Sequence, residues 1–90
     1  MAAYAFESVS VTTAAVSLTS TTFDYANHAL ITVEGAAVRF RLDDTDPTAS
    51  VGHELLVGDI LKLETQDEIA RATFISRDGA TATLRVTYKV

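Results

Sequence analysis

The sequence predicts an all-β protein, a single small β-sandwich or jelly-roll-like barrel of about seven to eight short antiparallel strands. Three observations lead there. Thr and Val abound while Lys and Glu are few. Apolar residues alternate with polar ones or run in short blocks, both of which are strand patterns. Turn residues punctuate those blocks at Gly35, Pro47, Gly52, Gly58 and Gly79.

From the start, Phe6 to Thr13 alternates Val9 and Val11 against Ser8, Ser10 and Thr12, a half-buried strand. A second short strand holds Val16 and Leu18, and the Thr/Ser run Thr19 to Thr22 reads as edge strand or loop. Ala29 to Val33 is a buried strand, followed by Ala36 to Leu42 with Val38, Phe40 and Leu42 set against Arg39 and Arg41. Glu34-Gly35 between them reads as a tight hairpin, with Gly in the φ > 0 position. Asp43 to Ser50 is a polar loop around the sole proline, Pro47, and Asp59 to Glu64 is a further strand with Leu61 and Leu63 on one side.

A second hairpin is expected at Arg77-Asp78-Gly79, joining Ile69 to Ser76 with Ala80 to Val90. A two-residue turn pairs Ile75 with Ala82 and Thr73 with Leu84. A three-residue loop with a bulge at Gly79 pairs Phe74 with Ala82 and Ala72 with Leu84, and it is favoured because Ala70, Ala72 and Phe74 then join the apolar stripe. Either register leaves apolar residues, Ile75 among them, on a second face that a neighbouring chain can cover. The one helix signal is Thr65 to Ala72, in β-rich surroundings.

Residues 1–90 form one domain, with 1–13 a candidate arm or edge strand engaged with a neighbour. At 90 residues and 9.6 kDa the chain supports a single core, which is marginal on its own and often reinforced by disulfides, metal or oligomerisation. Cysteine is absent, so disulfides and thiolate metal sites are excluded. The sequence is 48% hydrophobic and 21% charged, with a mean hydropathy of +0.20, unlike a disordered tail. A net charge of −5 and a pI near 4.7 argue against nucleic-acid binding, which needs clustered Lys and Arg. No apolar run reaches the roughly 20 residues that span a bilayer, so no membrane partner is expected. Met1 to Phe6 lacks the basic start of a secretory signal.

Catalytic chemistry finds no foothold. His28 and His53 lie several strands apart, without metal-ligand spacing. The acidic loop carries Asp43, Asp44 and Asp46, with the alternate spacing of calcium ligands at Asp44 and Asp46. It has no turn glycine, however, and runs straight into Pro47. A solvated turn in which Asp side chains bond local N–H groups is the favoured reading. There is no nucleophile elbow and no Gly-rich phosphate loop. The sequence therefore predicts no enzyme, no cofactor and no metal site. The candidates are instead contact residues: Arg39 and Arg41 on one strand face, with Arg85 and Lys89 similarly placed on the last strand, set to pair with Asp43, Asp44, Asp46 and Glu7 across a subunit boundary, with a solvated outer sheet face as the equal alternative. Tyr4, Phe6, Phe23 and Tyr25 add aromatic surface in a region with no positive charge before Arg39.

Val33 to Leu63, VEGAAVRFRLDDTDPTASVGHELLVGDILKL, resembles small structural proteins of tailed bacteriophage virions. The matching features are Arg39-Phe40-Arg41, the Asp43 to Thr48 loop, Gly52-His53 and Gly58-Asp59, with Ala82 to Val90 as closing strand. The loop departs from the usual form in carrying Asp44 where Gly follows the Asp. The resemblance covers roughly the last two thirds of the chain and implies a non-enzymatic virion component. A capsid decoration (cement) protein comes first and a tail- or neck-associated adaptor second. Its implied partners are the major capsid protein and copies of itself, as a trimer or other homo-oligomer. Its implied location is the capsid surface after synthesis in the host cytoplasm. From the residues alone, a carbohydrate- or calcium-binding β-sandwich using Asp43, Asp44 and Asp46 with Tyr25 or His53 is a further alternative.

Overall fold

The computed structural model describes residues 3–18, 26–43 and 45–89, with side chains from residue 5 onward. Among them are eight strands: β1 (Ala3–Val11), β2 (Val16–Ser17), β3 (His28–Glu34), β4 (Val38–Arg41), β5 (His53–Leu55), β6 (Ile60–Leu63), β7 (Thr73–Ser76) and β8 (Ala82–Lys89). One short helix, α1 (Gln66–Arg71), precedes β7. The Thr19 to Thr22 run, Phe23, Tyr25 and Asp44 lie outside the described residues, as does the side chain of Tyr4.

The strands form two four-stranded antiparallel sheets, sheet I in the order β1-β8-β3-β6 and sheet II in the order β2-β7-β4-β5. First pairs with last inward along the chain: β1 with β8, β2 with β7, β3 with β6 and β4 with β5. That is one long ribbon of paired strands, doubled back at the β4–β5 loop and rolled over itself. The result is the jelly-roll form of the β-sandwich.

Alternation places the core between the sheets. Ala29, Ile31 and Val33 of β3 point inward, as do Ala82, Leu84, Val86 and Tyr88 of β8. They meet Val38 and Phe40 of β4, Leu55 of β5 and Phe74 of β7. Phe40 and Phe74 pack at 6.0 Å between ring centroids. Burying each such side chain contributes roughly 1.5–3 kcal/mol. Tyr88 is the largest fully buried side chain, and its hydroxyl donates to the carboxylate of Glu7 on the neighbouring strand.

The expected helix is present and its caps explain it. The Thr65 hydroxyl accepts from the Glu68 N–H at 3.1 Å, and the Glu68 carboxylate accepts from the Glu64 N–H at 2.9 Å. This is a capping box reaching one residue further back than usual. Asp67 and Glu68 in the first turn and Arg71 in the last suit the helix dipole, and buried Ile69 pins the helix to the core. The strand expected from Ile69 thus begins only at Thr73, and Ala70 is exposed.

Neither expected hairpin forms. β3 and β4 lie in different sheets, and so do β7 and β8. Both proposed registers of the last hairpin are therefore overturned: Phe74 pairs with Phe40 and Val16, while Ala82 pairs with Val11. Both turns are corners that carry the chain across the sandwich. At the first, Ala36 and Ala37 are small enough to be buried where the chain crosses. Gly35 has φ +88°, and a Cβ there would stand 3.2 Å from the Thr81 carbonyl. The second corner is tied to the first, since the Arg77 N–H donates to the Ala37 carbonyl at 3.1 Å. A turn sequence fixes the direction of a short loop but not whether its strands pair edge to edge or stack about 10 Å apart. β5 was not expected as a strand, and β4–β5 is the one consecutive pair within a sheet.

Candidate functional site

The two outer faces of the sandwich are built differently. On sheet II, strand alternation turns Arg39 and Arg41 of β4 outward beside Ile75 and Thr73 of β7. The Asp43 to Ser50 loop folds back over this face instead of extending into solvent. Arg39 Nε donates to the Ala49 carbonyl at 2.8 Å and Nη1 to the Gly52 carbonyl at 3.1 Å. The Thr73 hydroxyl donates to the Thr45 carbonyl at 3.2 Å, and Pro47 is buried. Inside the loop, the Thr48 hydroxyl accepts from the Val51 N–H at 3.0 Å, a local turn that the Thr side chain closes.

The arginines of this face are met within the chain. Arg41 Nε donates to Asp43 Oδ1 at 3.0 Å. That hydrogen bond holds the Asp43 carboxyl below its ordinary value and raises Arg41. Glu54 of β5 lies 2.7 Å from Arg77 and 3.8 Å from Arg39, and Arg77 also holds Asp78 at 2.9 Å. These pairs are solvent-exposed, so each contributes little to stability while fixing where the loop lies. Arg41 thus meets Asp43, and Arg39 meets Glu54 and the loop carbonyls, within one chain rather than across the subunit boundary the sequence reading expected. Ile75 is half-buried beside them, and Asp46 is exposed on the loop.

The histidines are not brought together: His28 is on sheet I, and His53 is on sheet II, 5.3 Å from Phe40 between ring centroids. Asp43 and His53 do share a shallow hollow with Arg41 and Val51. Among the described residues no group of three His, Asp or Glu converges to hold a metal ion.

Among the described residues no loop roofs sheet I. The register lines up Phe6, Thr87, Leu30 and Lys62 in one outward row, and Ser8, Arg85, Thr32 and Ile60 in the next. Phe6 is 60% exposed on edge strand β1 and Ile60 is 61% exposed on edge strand β6, roughly 16 Å apart, three strand spacings across and one row along. Between them lie Ser8, Thr87, Thr32, Leu30 and the Arg85 guanidinium. Arg85 spans the sheet, donating to Glu34 at 3.0 Å on one side and to the Ser8 hydroxyl at 2.7 Å on the other. Leu56 and Val57 extend the apolar surface beyond Ile60. Their turn is closed by the Leu56 N–H donating to the Asp59 carboxylate at 2.8 Å, and by the Gly58 N–H donating to the Val33 carbonyl at 3.1 Å.

Of the expected contact residues, Phe6 and Arg85 share this open face, while Arg39, Arg41, Asp43 and Ile75 belong to the covered one. The sequence reading passed over Leu30 and Ile60. The signal for Ile60 was present, because Leu61 and Leu63 on the inward side force Ile60 outward.

No protein-family model matches this chain, and neither a curated protein nor a solved structure resembles it closely enough to register.

Proposed function

We propose that the protein is a non-enzymatic virion structural protein, a decoration (cement) protein that docks in many copies on a phage capsid and stabilises it. The observation that carries this reading is the open outer face of sheet I, with exposed Phe6 and Ile60 on a field of Ser and Thr. Its central guanidinium is already matched by Glu34. Exposed apolar side chains around a paired charge have the character of an interface core, with the cations Lys62 and Lys89 at one end of the face. The resemblance of Val33 to Leu63 to small virion proteins supplies the class of partner. The jelly roll is also an architecture that capsid proteins use.

The mechanism is mechanical. Each copy lays the β1-β8-β3-β6 face on the shell, and repetition over a lattice raises avidity without any single tight interface. A partner that covers Phe6 and Ile60 also supplies burial that a chain of this size lacks by itself. The test is to add purified protein to expanded shells that lack it. Stoichiometric occupancy with a raised disruption temperature is expected. No binding, or binding with no gain in shell stability, sinks the reading. Recovery of a few copies with purified tails or necks and none with heads replaces it by the adaptor role.

A further inference from the structure

All the arginines of the chain are engaged: Arg39 with Glu54, Arg41 with Asp43, Arg71 with Asp67, Arg77 with Glu54 and Asp78, and Arg85 with Glu34. The remaining cations are the two lysines, Lys62 and Lys89. Among the described residues neither ammonium makes an ion pair or hydrogen bond. Both line one cleft of about 350 Å³ at the end of the open face of sheet I.

Strand register builds this cleft. Lys89 of β8 stands opposite His28 of β3, and Lys62 of β6 stands opposite Leu30 of β3. The two lysine stems therefore rise from the strands on either side of β3, offset by two residues and roughly 12 Å apart at the backbone, over a floor that includes Leu30. His28 lines the same cleft, and its Nδ1 is buried with no hydrogen-bond partner among the described residues. Glu64 sets one carboxylate in the wall. Among the described residues two ammonium groups thus stand against one carboxylate in the cleft, on a protein whose net charge is −5.

An apolar floor between unpaired cations fits an anionic group carried on an aliphatic stem. The cleft opens along the sheet face, continuous through Leu30 and Thr87 with Phe6. Free small ligands usually have 70–90% or more of their surface enclosed, and an open cleft does not supply that. A side chain tethered to a larger docked surface needs less enclosure. A second copy of this acidic chain is disfavoured by repulsion between like net charges.

We propose that the cleft receives a Glu or Asp carboxylate that the docking partner presents next to an aliphatic residue, held between Lys62 and Lys89 above Leu30. This rests on the docking reading above and adds the chemistry the partner must offer.

Two acetylated, amidated peptides, Leu-Glu-Leu and Leu-Gln-Leu, are titrated into the isotope-labelled protein. The Glu peptide is expected to shift the amides of Leu30, Lys62 and Lys89 and the His28 ring. It should bind about tenfold more tightly than the Gln peptide, the worth of one charge-assisted contact. In K62Q/K89Q, whose amide spectrum reports an intact fold, that preference should vanish. Equal response to both peptides, no response, or shifts confined to another face overturns the proposal.

Shell binding separates the two readings. Wild-type docking with undiminished docking of K62Q/K89Q overturns the cleft and spares the docking face. If the wild type fails to dock, the docking reading falls and the peptide titration alone decides the cleft. Self-association of the wild type that K62Q/K89Q abolishes assigns the cleft to a second copy, against the proposal.

Discussion

Arg39 and Gly52 hold each other in place. The guanidinium donates to the Gly52 carbonyl at 3.1 Å, and a Cβ on Gly52 would stand only 3.3 Å from the Cβ of Arg39. Through this contact strand β4 holds down the loop that covers sheet II, while no loop among the described residues covers sheet I. Removing the guanidinium (Arg39→Met) leaves two loop carbonyls without their donor and should cost about 1–3 kcal/mol. Amide exchange at Thr48 and Val51 should accelerate well beyond that of β8. Unchanged protection in the loop would contradict its tethering role.

Gly52 is tested separately. At φ +136°, with the Phe40 carbonyl 3.1 Å and Pro47 Cβ 3.2 Å from where a Cβ would sit, Gly52→Ala meets both backbone strain and backbone atoms that cannot swing aside. A loss of about 1–3 kcal/mol is expected from the urea midpoint. Resonances of the β4–β5 region should move and those of β1 should not.

Phe74 is fully buried between β2 and β4. Truncation of a buried Phe costs about 3–5 kcal/mol, a large share of the 5–15 kcal/mol typical of a whole domain. Phe74→Ala should therefore populate the unfolded state measurably at room temperature, read by loss of dispersed amide resonances. Phe74→Leu, which keeps most of the volume, should fold.

Acid should weaken the protein through Asp43 and Asp78. The hydrogen bond from Arg41 lowers the Asp43 carboxyl below 3.8, and the one from Arg77 lowers Asp78 in the same direction. A depressed carboxyl contributes stability that is fully present above its unfolded value. That stability is lost as pH falls through the folded value. The expected change is a decline in urea midpoint below about pH 4. It should be small because both pairs are exposed, and Arg77→Met should reduce it. A decline of equal size in R77M would assign it to other carboxylates.

Phe6→Ser with Ile60→Thr should leave stability nearly unchanged, within about 0.5 kcal/mol per site, because both side chains are already in water. The same pair should abolish docking to shells that the wild type occupies. Ile75→Thr, on the covered face, should dock normally.

The strands themselves were legible wherever one face is buried. Val9 and Val11, Val38 and Phe40, and the run from Ala82 to Tyr88 alternate because a strand has only two sides, and burial on one writes that period into the chain. The helix was only half legible: Thr65 to Ala72 stood as a lone signal while Ile69 to Ser76 was read as strand, and the Thr65 and Glu68 caps decide for helix over Gln66–Arg71. β5 was not: His53-Glu54-Leu55 is three residues at an edge, with only Leu55 buried, too short to carry a period. The site was half legible. Phe6, Arg85 and Lys89 stood out by residue type and strand position, whereas Leu30 and Lys62 read as ordinary surface.

The amino-acid pattern by itself determined an all-β chain, which side of most strands is buried and where the chain turns, since each depends on neighbours a few residues away. The tertiary structure decided what each turn joins. Glu34-Gly35 and Arg77-Asp78-Gly79 look like hairpins, yet both cross between sheets, because pairing depends on which distant strand offers the better ladder and core. That choice sets β8 between β1 and β3, lets Arg39 reach the far side of its own loop, and brings Lys62 and Lys89 to one cleft from positions 27 residues apart. Which face of the sandwich stays open is a property of those long-range contacts.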